Sequence, residues 1–154
     1  MTAATETSRE TMEADMNDGL ISYSEEIETV IAGLAQDQKV IVGQKNDSYL
    51  WKFQYGSVQV FVQLSGATDD DSLTVWSPVL KLPAKNEAQL MQKLLEMNWL
   101  ATFESHFAIN SNEVVVISTR TLMDISPAEI SRIITVVASI ADDNDDDLIA
   151  EFGQ

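Results

Sequence analysis

The sequence predicts an α+β fold, with helices packed on an antiparallel sheet. Three observations carry this reading. Apolar residues recur at helical spacing in three separate segments, and six short stretches with strand character lie among them. The order is helix, four strands, helix, two strands, helix, with no internal repeat and no βαβ rhythm, so the sheet is antiparallel. A chain of 154 residues is the size of one domain with one core.

Residues 1–19 are rich in Thr, Glu and Ala with almost no large apolar groups, so burial cannot offset the entropy of ordering them. They are expected to form a disordered acidic tail ahead of a single domain over residues 20–154. Ser22 and Glu25 have capping-box spacing, and Ile27, Val30, Ile31 and Leu34 then make one apolar stripe, which predicts the first helix. Lys39 to Gln44 reads as a short strand.

The segment "SYLWKFQYGSVQVFVQLS" is a hairpin whose two-residue turn, Gly56-Ser57, suits type II′ geometry. That turn fixes the register. Tyr55 faces Val58, Phe53 faces Val60, Trp51 faces Val62 and Tyr49 faces Leu64, all on one side, the core side. The reverse side pairs Gln54 with Gln59, Lys52 with Phe61 and Leu50 with Gln63. The loop "TDDDS" over residues 68–72 follows, a solvated turn that discourages edge pairing. A fourth strand runs through Leu73, Thr74, Val75 and Trp76.

Pro83 ends these strands, and Asn86 is the expected cap of a helix over 86–98 with a stripe of Leu90, Met91, Leu94 and Leu95. Met91 and Met97 sit among these leucines as core or interface filler. A second hairpin turns at Ser111-Asn112, with Phe107, Ile109, Val114 and Val116 on one face and Ala108, Val115 and Ile117 on the other. In "DISPAEI", Ser126 is the cap, Pro127 the first helical residue and Glu129 the closing member of a capping box, with Ile125 poised to staple onto Ile130. Ile130, Ile133, Ile134, Val137 and Ala141 form the stripe of the last helix.

Charge narrows the function classes. Nine Lys and Arg against 25 Asp and Glu give −16. Of this, −7 falls on residues 1–28 and −6 on residues 142–154, which leaves a nearly neutral body at −3. Such a chain offers no cationic cluster to a phosphate backbone, so nucleic acid is not an expected partner. With no cysteine there is no disulfide frame and no thiolate zinc site. No apolar run approaches the roughly 20 residues that span a bilayer, and the acidic start lacks the apolar core of a secretory signal. A cytoplasmic protein without membrane partners is expected.

The run from Leu94 to Gly153 resembles the YbjN-type domain of bacteria, which shares its fold with class I type III secretion chaperones. The likeness rests on a helix ending in Leu-x-x-Asn (Leu95 to Asn98), a Phe-x-Ile strand (Phe107 to Ile109) and the Val-rich strand at Val114 to Ile117. It rests also on the helix start Ile125-Ser126-Pro127, and on a closing Ala141-Asp142 followed by Leu148 to Phe152. It covers roughly residues 24–153. It implies a small, acidic, usually homodimeric protein that binds other polypeptides or regulates, with no cofactor and no established catalytic residues.

Read for chemistry, the residues offer two alternatives to a binding module. In "ASIADDNDDDLIAEFG", Asp142, Asn144 and Asp146 have the 1-3-5 spacing of a calcium loop. Position six, however, is Asp147 rather than Gly, and position twelve is Gly153 rather than Glu. No specific calcium site is expected. The helix macrodipole instead predicts that the last helix ends near Ala141, and that Asp145 to Asp147 open a short second segment whose Leu148, Ile149 and Phe152 dock on the body. The single histidine, His106, shares a strand face with Glu104 and would be the acid/base pair of a small enzyme, but no nucleophile motif accompanies it.

The aromatic stripe Tyr49, Trp51, Phe53 and Tyr55 faces valines and reads as core. The opposite sheet face gathers Leu50, Phe61, Trp76, Ala108, Val115 and Ile117 among Gln and Lys, more apolar area than a wet sheet should expose. These observations favour a non-enzymatic, chaperone-like or regulatory protein-binding module. Leu50, Phe61, Trp76, Val115 and Ile117 are its candidate interface, and a homodimer is expected through this mixed face or through the second helix.

Overall fold

A computed structural model describes residues 23–35 and 40–154, with the backbone alone for residues 40–42. The expected tail over 1–19 and the Ser22 cap lie outside the described residues. Residues 23–34 form α1, followed by β1 (Val40–Lys45), β2 (Ser48–Tyr55), β3 (Val58–Leu64) and β4 (Ser72–Lys81). Then come α2 (Glu87–Leu100), β5 (His106–Asn110), β6 (Glu113–Thr121) and α3 (Pro127–Phe152). The order is the one the sequence predicts. All strand pairs are antiparallel, and the six-stranded sheet runs β1-β2-β3-β4-β6-β5.

The first hairpin has the register its turn dictates. Tyr55 pairs with Val58, Phe53 with Val60, Trp51 with Val62 and Tyr49 with Leu64. Gly56 takes φ 55°, the left-handed first position that a II′ turn requires. In the second hairpin both Ser111 and Asn112 have positive φ, and Phe107 pairs with Val116 and Ile109 with Val114. β4 runs further than expected, because a bulge between Pro78 and Leu80 absorbs the proline where pairing with β3 has already ended at Trp76.

One core holds Ile27 and Ile31 of α1, Leu90 and Leu94 of α2 and the stripe of α3 against Trp51, Phe53, Val60, Val62, Val75, Val114 and Val116. Trp51 Nε1 donates to Glu28 Oε1 at 3.2 Å, tying α1 to the same side. No residue of the opposite sheet face joins this core. Leu50, Phe61, Trp76, Ala108, Val115 and Ile117 are all outside it, so the three described helices cover one face and leave the other helix-free.

Helix starts differ in mechanism. Ser126 Oγ accepts from Glu129 N at 3.2 Å with Pro127 behind it, as expected. The Glu129 carboxylate pairs with Arg120 at 2.7 Å rather than folding back onto the cap. Asn86 is not a side-chain cap: it sits in the left-handed region at φ 49°, and Glu87 Oε1 instead accepts from Ala84 N at 3.0 Å.

The largest departure is at the acidic run. α3 does not end near Ala141; it continues unbroken through the aspartates to Phe152. The helical stripe passes through Ala138, Ala141, Asp145, Leu148 and Phe152, which puts Asp145 on the inner side, only 4% exposed. The first hairpin turn reaches it there. Ser57 Oγ lies 2.9 and 2.7 Å from the Asp145 oxygens, and Ser57 N donates to Asp142 Oδ1 at 2.9 Å. Local macrodipole repulsion is thus outweighed by charge-assisted bonds from a turn 85 residues away in sequence. Leu148 and Phe152 dock as expected, whereas Ile149 is half-exposed.

Candidate protein-binding surfaces

The helix-free face is organised as rows across the sheet. Strand register aligns Lys52 with Phe61, Phe61 with Trp76, Trp76 with Ile117 and Ile117 with His106. Alternation turns all five side chains outward. The Phe61 and Trp76 rings stack at 5.3 Å between centroids and 10° between planes, and the Lys52 ammonium stands 6.0 Å from the Phe61 centroid. An aromatic pair so arranged is worth about 0.5–1.5 kcal/mol beyond its burial. Leu50, Phe61, Trp76 and Ile117 are each partly exposed, shielded by one another rather than by a helix. Val115 is different: flanked by its partners Pro78 and Ala108, it is fully buried and supports the face from beneath. The rim is polar, with the Gln54 and Gln59 amides bonded across the hairpin and Gln63 exposed beside Leu50.

A second apolar surface lies at the end of α2, the helix expected from the sequence as the alternative homodimer contact. Leu95, assigned to the buried stripe of α2, is exposed, and Trp99, Leu100 and Phe103 beyond it are more so. The signal was present: at 3.6 residues per turn, Leu95 and Trp99 lie about 140° and 180° round from Leu90, off the buried stripe. Between α2 and β5, Asn98 Oδ1 accepts from Phe107 N at 2.7 Å and its Nδ2 donates to Phe107 O at 3.3 Å. This amide satisfies one outward-facing backbone position of the edge strand β5.

The candidate acid/base pair is not assembled. Glu104 lies in the turn before β5, where its carboxylate accepts from Arg132 Nε of α3 at 2.6 Å, and that hydrogen bond holds its pKa below the ordinary value. His106 is exposed on the helix-free face in line with Ile117. The aspartates do not assemble a loop either. On a continuous helix, residues two apart point about 200° apart, so Asn144 turns away from Asp142 and donates to Ile140 O at 2.7 Å. Among the described residues no group of three or more His, Cys, Asp or Glu could hold a metal ion. No helix among the described residues is long and apolar enough to cross a membrane.

The fold and these surfaces define a class: an α+β domain with its helices on one sheet face and an aromatic patch on the other. Within that class the chain belongs to the YbjN family, whose model, described as "Putative bacterial sensory transduction regulator", matches residues 23–150. No curated protein matches it. Among solved structures the chain is similar to one in the ExsC-ExsE complex, at 12% identity over 77% of this chain and 90% of that one, with a TM-score of 0.49.

Proposed function

We propose that this protein is a non-enzymatic, cytoplasmic regulatory module, chaperone-like in that it binds a segment of another protein on its helix-free sheet face. The observation that carries this is the row Lys52, Phe61, Trp76 and Ile117, a stacked aromatic pair at the centre of a sheet face that no helix of the described residues covers. Buried aromatic anchors inside a polar rim supply most of the energy of protein interfaces, and here glutamines and a lysine surround the pair. The regulator description of the family supports the same reading. The separation of Glu104 from His106 removes the motive for an acid/base enzyme.

Affinity capture from native lysate tests this, comparing the natural chain with a Phe61→Ser/Trp76→Ser variant. The expected result is a protein retained by the first and lost by the second, with unchanged circular dichroism. An identical set of retained proteins for both would refute the assignment of the face.

A further inference from the structure

A cleft of about 350 Å³ lies between the end of α3 and the bulged part of β4, and its lining includes Ser57, Pro78, Leu80, Pro83, Asp145 and Ile149. Asp145 is 4% exposed, and Ser57 Oγ lies 2.9 and 2.7 Å from its two oxygens. An ionised carboxylate has about four lone-pair positions to fill. The hydroxyl has one proton to give, and Asp142 Oδ1 competes for it at 3.1 Å. Among the described residues no other donor reaches Asp145, and no Lys, Arg or His pairs with it.

Buried charges are ordinarily paired or fully hydrogen-bonded, because taking them out of water is costly. Asp145 has neither provision from its own chain. Lys81 and Glu113 also line the cleft, but they are cross-strand partners whose opposite charges offset one another. The uncompensated side-chain charge of the lining is therefore that of Asp145. Asp143, Asp146 and Asp147 face solvent and are not part of the lining.

We infer that this cleft binds a primary alkylammonium group, of a small aliphatic amine or of a lysine side chain, whose N–H groups donate to Asp145 while its carbon chain lies against Pro78, Leu80, Pro83 and Ile149. Three features select this chemistry. First, an ammonium brings both the positive charge and the donors that Asp145 lacks. Second, a guanidinium needs both carboxylate oxygens open to its planar fork, and Ser57 Oγ already sits against both; a compact ammonium needs only the lone pairs that remain. Third, aliphatic walls suit a methylene chain and give a divalent cation too few oxygen ligands, since calcium takes about 6–8. The volume is at the lower end of the roughly 300–1,000 Å³ of small-molecule sites, which fits so slender a group. Neither Phe61 nor Trp76 lines the cleft, so it is testable apart from the helix-free face.

Titration of the full nitrogen-15-labelled chain with n-butylamine, at neutral pH and about 0.15 M salt, is the test, read from amide chemical shifts. Saturable shifts are expected at Ser57, Leu80, Asp145 and Ile149, with a dissociation constant of about 0.1–5 mM, the range open to so small a ligand. Asp145→Asn keeps the shape and removes the charge, and should weaken binding roughly 10-fold or more. Ile149→Trp, at the half-exposed rim, should do the same by filling the cleft. Asp146→Asn, exposed and outside the lining, should change nothing. Tetramethylammonium has the charge without an N–H donor, so it separates the site from the general attraction of cations to a chain of −16; it should give no saturable shift at these residues. Nα-acetyl-lysine N-methylamide distinguishes the two sources: binding at least as tight as that of n-butylamine assigns the cleft to a lysine side chain, and weaker binding assigns it to a free amine. No saturable shift with n-butylamine up to about 50 mM, an equal response to tetramethylammonium, or binding undiminished in both Asp145→Asn and Ile149→Trp overturns the inference.

Discussion

Replacing Ser57 by Ala tests the link between the first hairpin turn and α3. The Ser57 hydroxyl is within bonding distance of three carboxylate oxygens, 2.7 and 2.9 Å from Asp145 and 3.1 Å from Asp142 Oδ1. It has one proton to give. Asp142 keeps the Ser57 backbone N–H whatever the side chain, so the loss falls on Asp145, which is 4% exposed. A hydrogen bond to a charged group contributes about 1.5–3 kcal/mol, and an ionised group left buried without a donor adds its desolvation penalty. Ser57→Ala should therefore cost about 2–3 kcal/mol, a large share of the 5–15 kcal/mol that holds a typical domain together. Urea denaturation followed by circular dichroism and tryptophan fluorescence measures it. In an Asp145→Leu background the same substitution should cost less than about 0.5 kcal/mol, since no buried charge remains to be served. A cost below about 0.5 kcal/mol in the natural background, or equal costs in both, would refute the reasoning.

The Thr102 hydroxyl is buried without a hydrogen-bond partner, so Thr102→Val should raise stability by about 1 kcal/mol in the same denaturation assay. Asn98→Ala should free the Phe107 amide, seen as faster hydrogen exchange at that residue, and lower stability by about 1–2 kcal/mol. Asp71 accepts from Thr68 N, Thr68 Oγ1 and Ser65 Oγ, and Glu104 from Arg132; these bonds lower both pKa values below their ordinary ones. A carboxylate with a depressed folded pKa contributes stability above its unfolded pKa and loses it as pH falls through the folded value. Stability should thus decline on acidification below the usual carboxylate range, with a shallower slope in an Asp71→Asn/Glu104→Gln variant.

Much of the sheet was legible because period-2 alternation and a two-residue turn leave one register open. Once Gly56-Ser57 is the turn, Lys52 must face Phe61, and the mixed face follows. The fate of the acidic run was harder, because the donor that holds Asp145 sits on a distant turn and local reasoning saw only like charges near a helix end. Yet the spacing of Ala138, Ala141, Asp145, Leu148 and Phe152 is itself continuous, and it placed one aspartate inward. On α2, Leu95 fits a loose helical spacing with Met91 in the stripe, yet it points about 140° away from Leu90, and the second row it forms with Trp99 follows only from that angle. The Asn98 bridge depends on where β5 ends up, and no spacing rule reports that. The twin roles assigned to Glu104 and His106 failed for the same reason: Arg132 arrives from α3, 28 residues along the chain.

The three tryptophans report three places: Trp51 in the core against Glu28, Trp76 on the helix-free face and Trp99 at the end of α2. Indole N–H resonances in a titration with a captured protein partner therefore test the central claim most directly. The Trp76 signal should shift in a saturable way while Trp51 stays fixed. Saturable binding that leaves the Trp76 resonance unmoved would contradict the account.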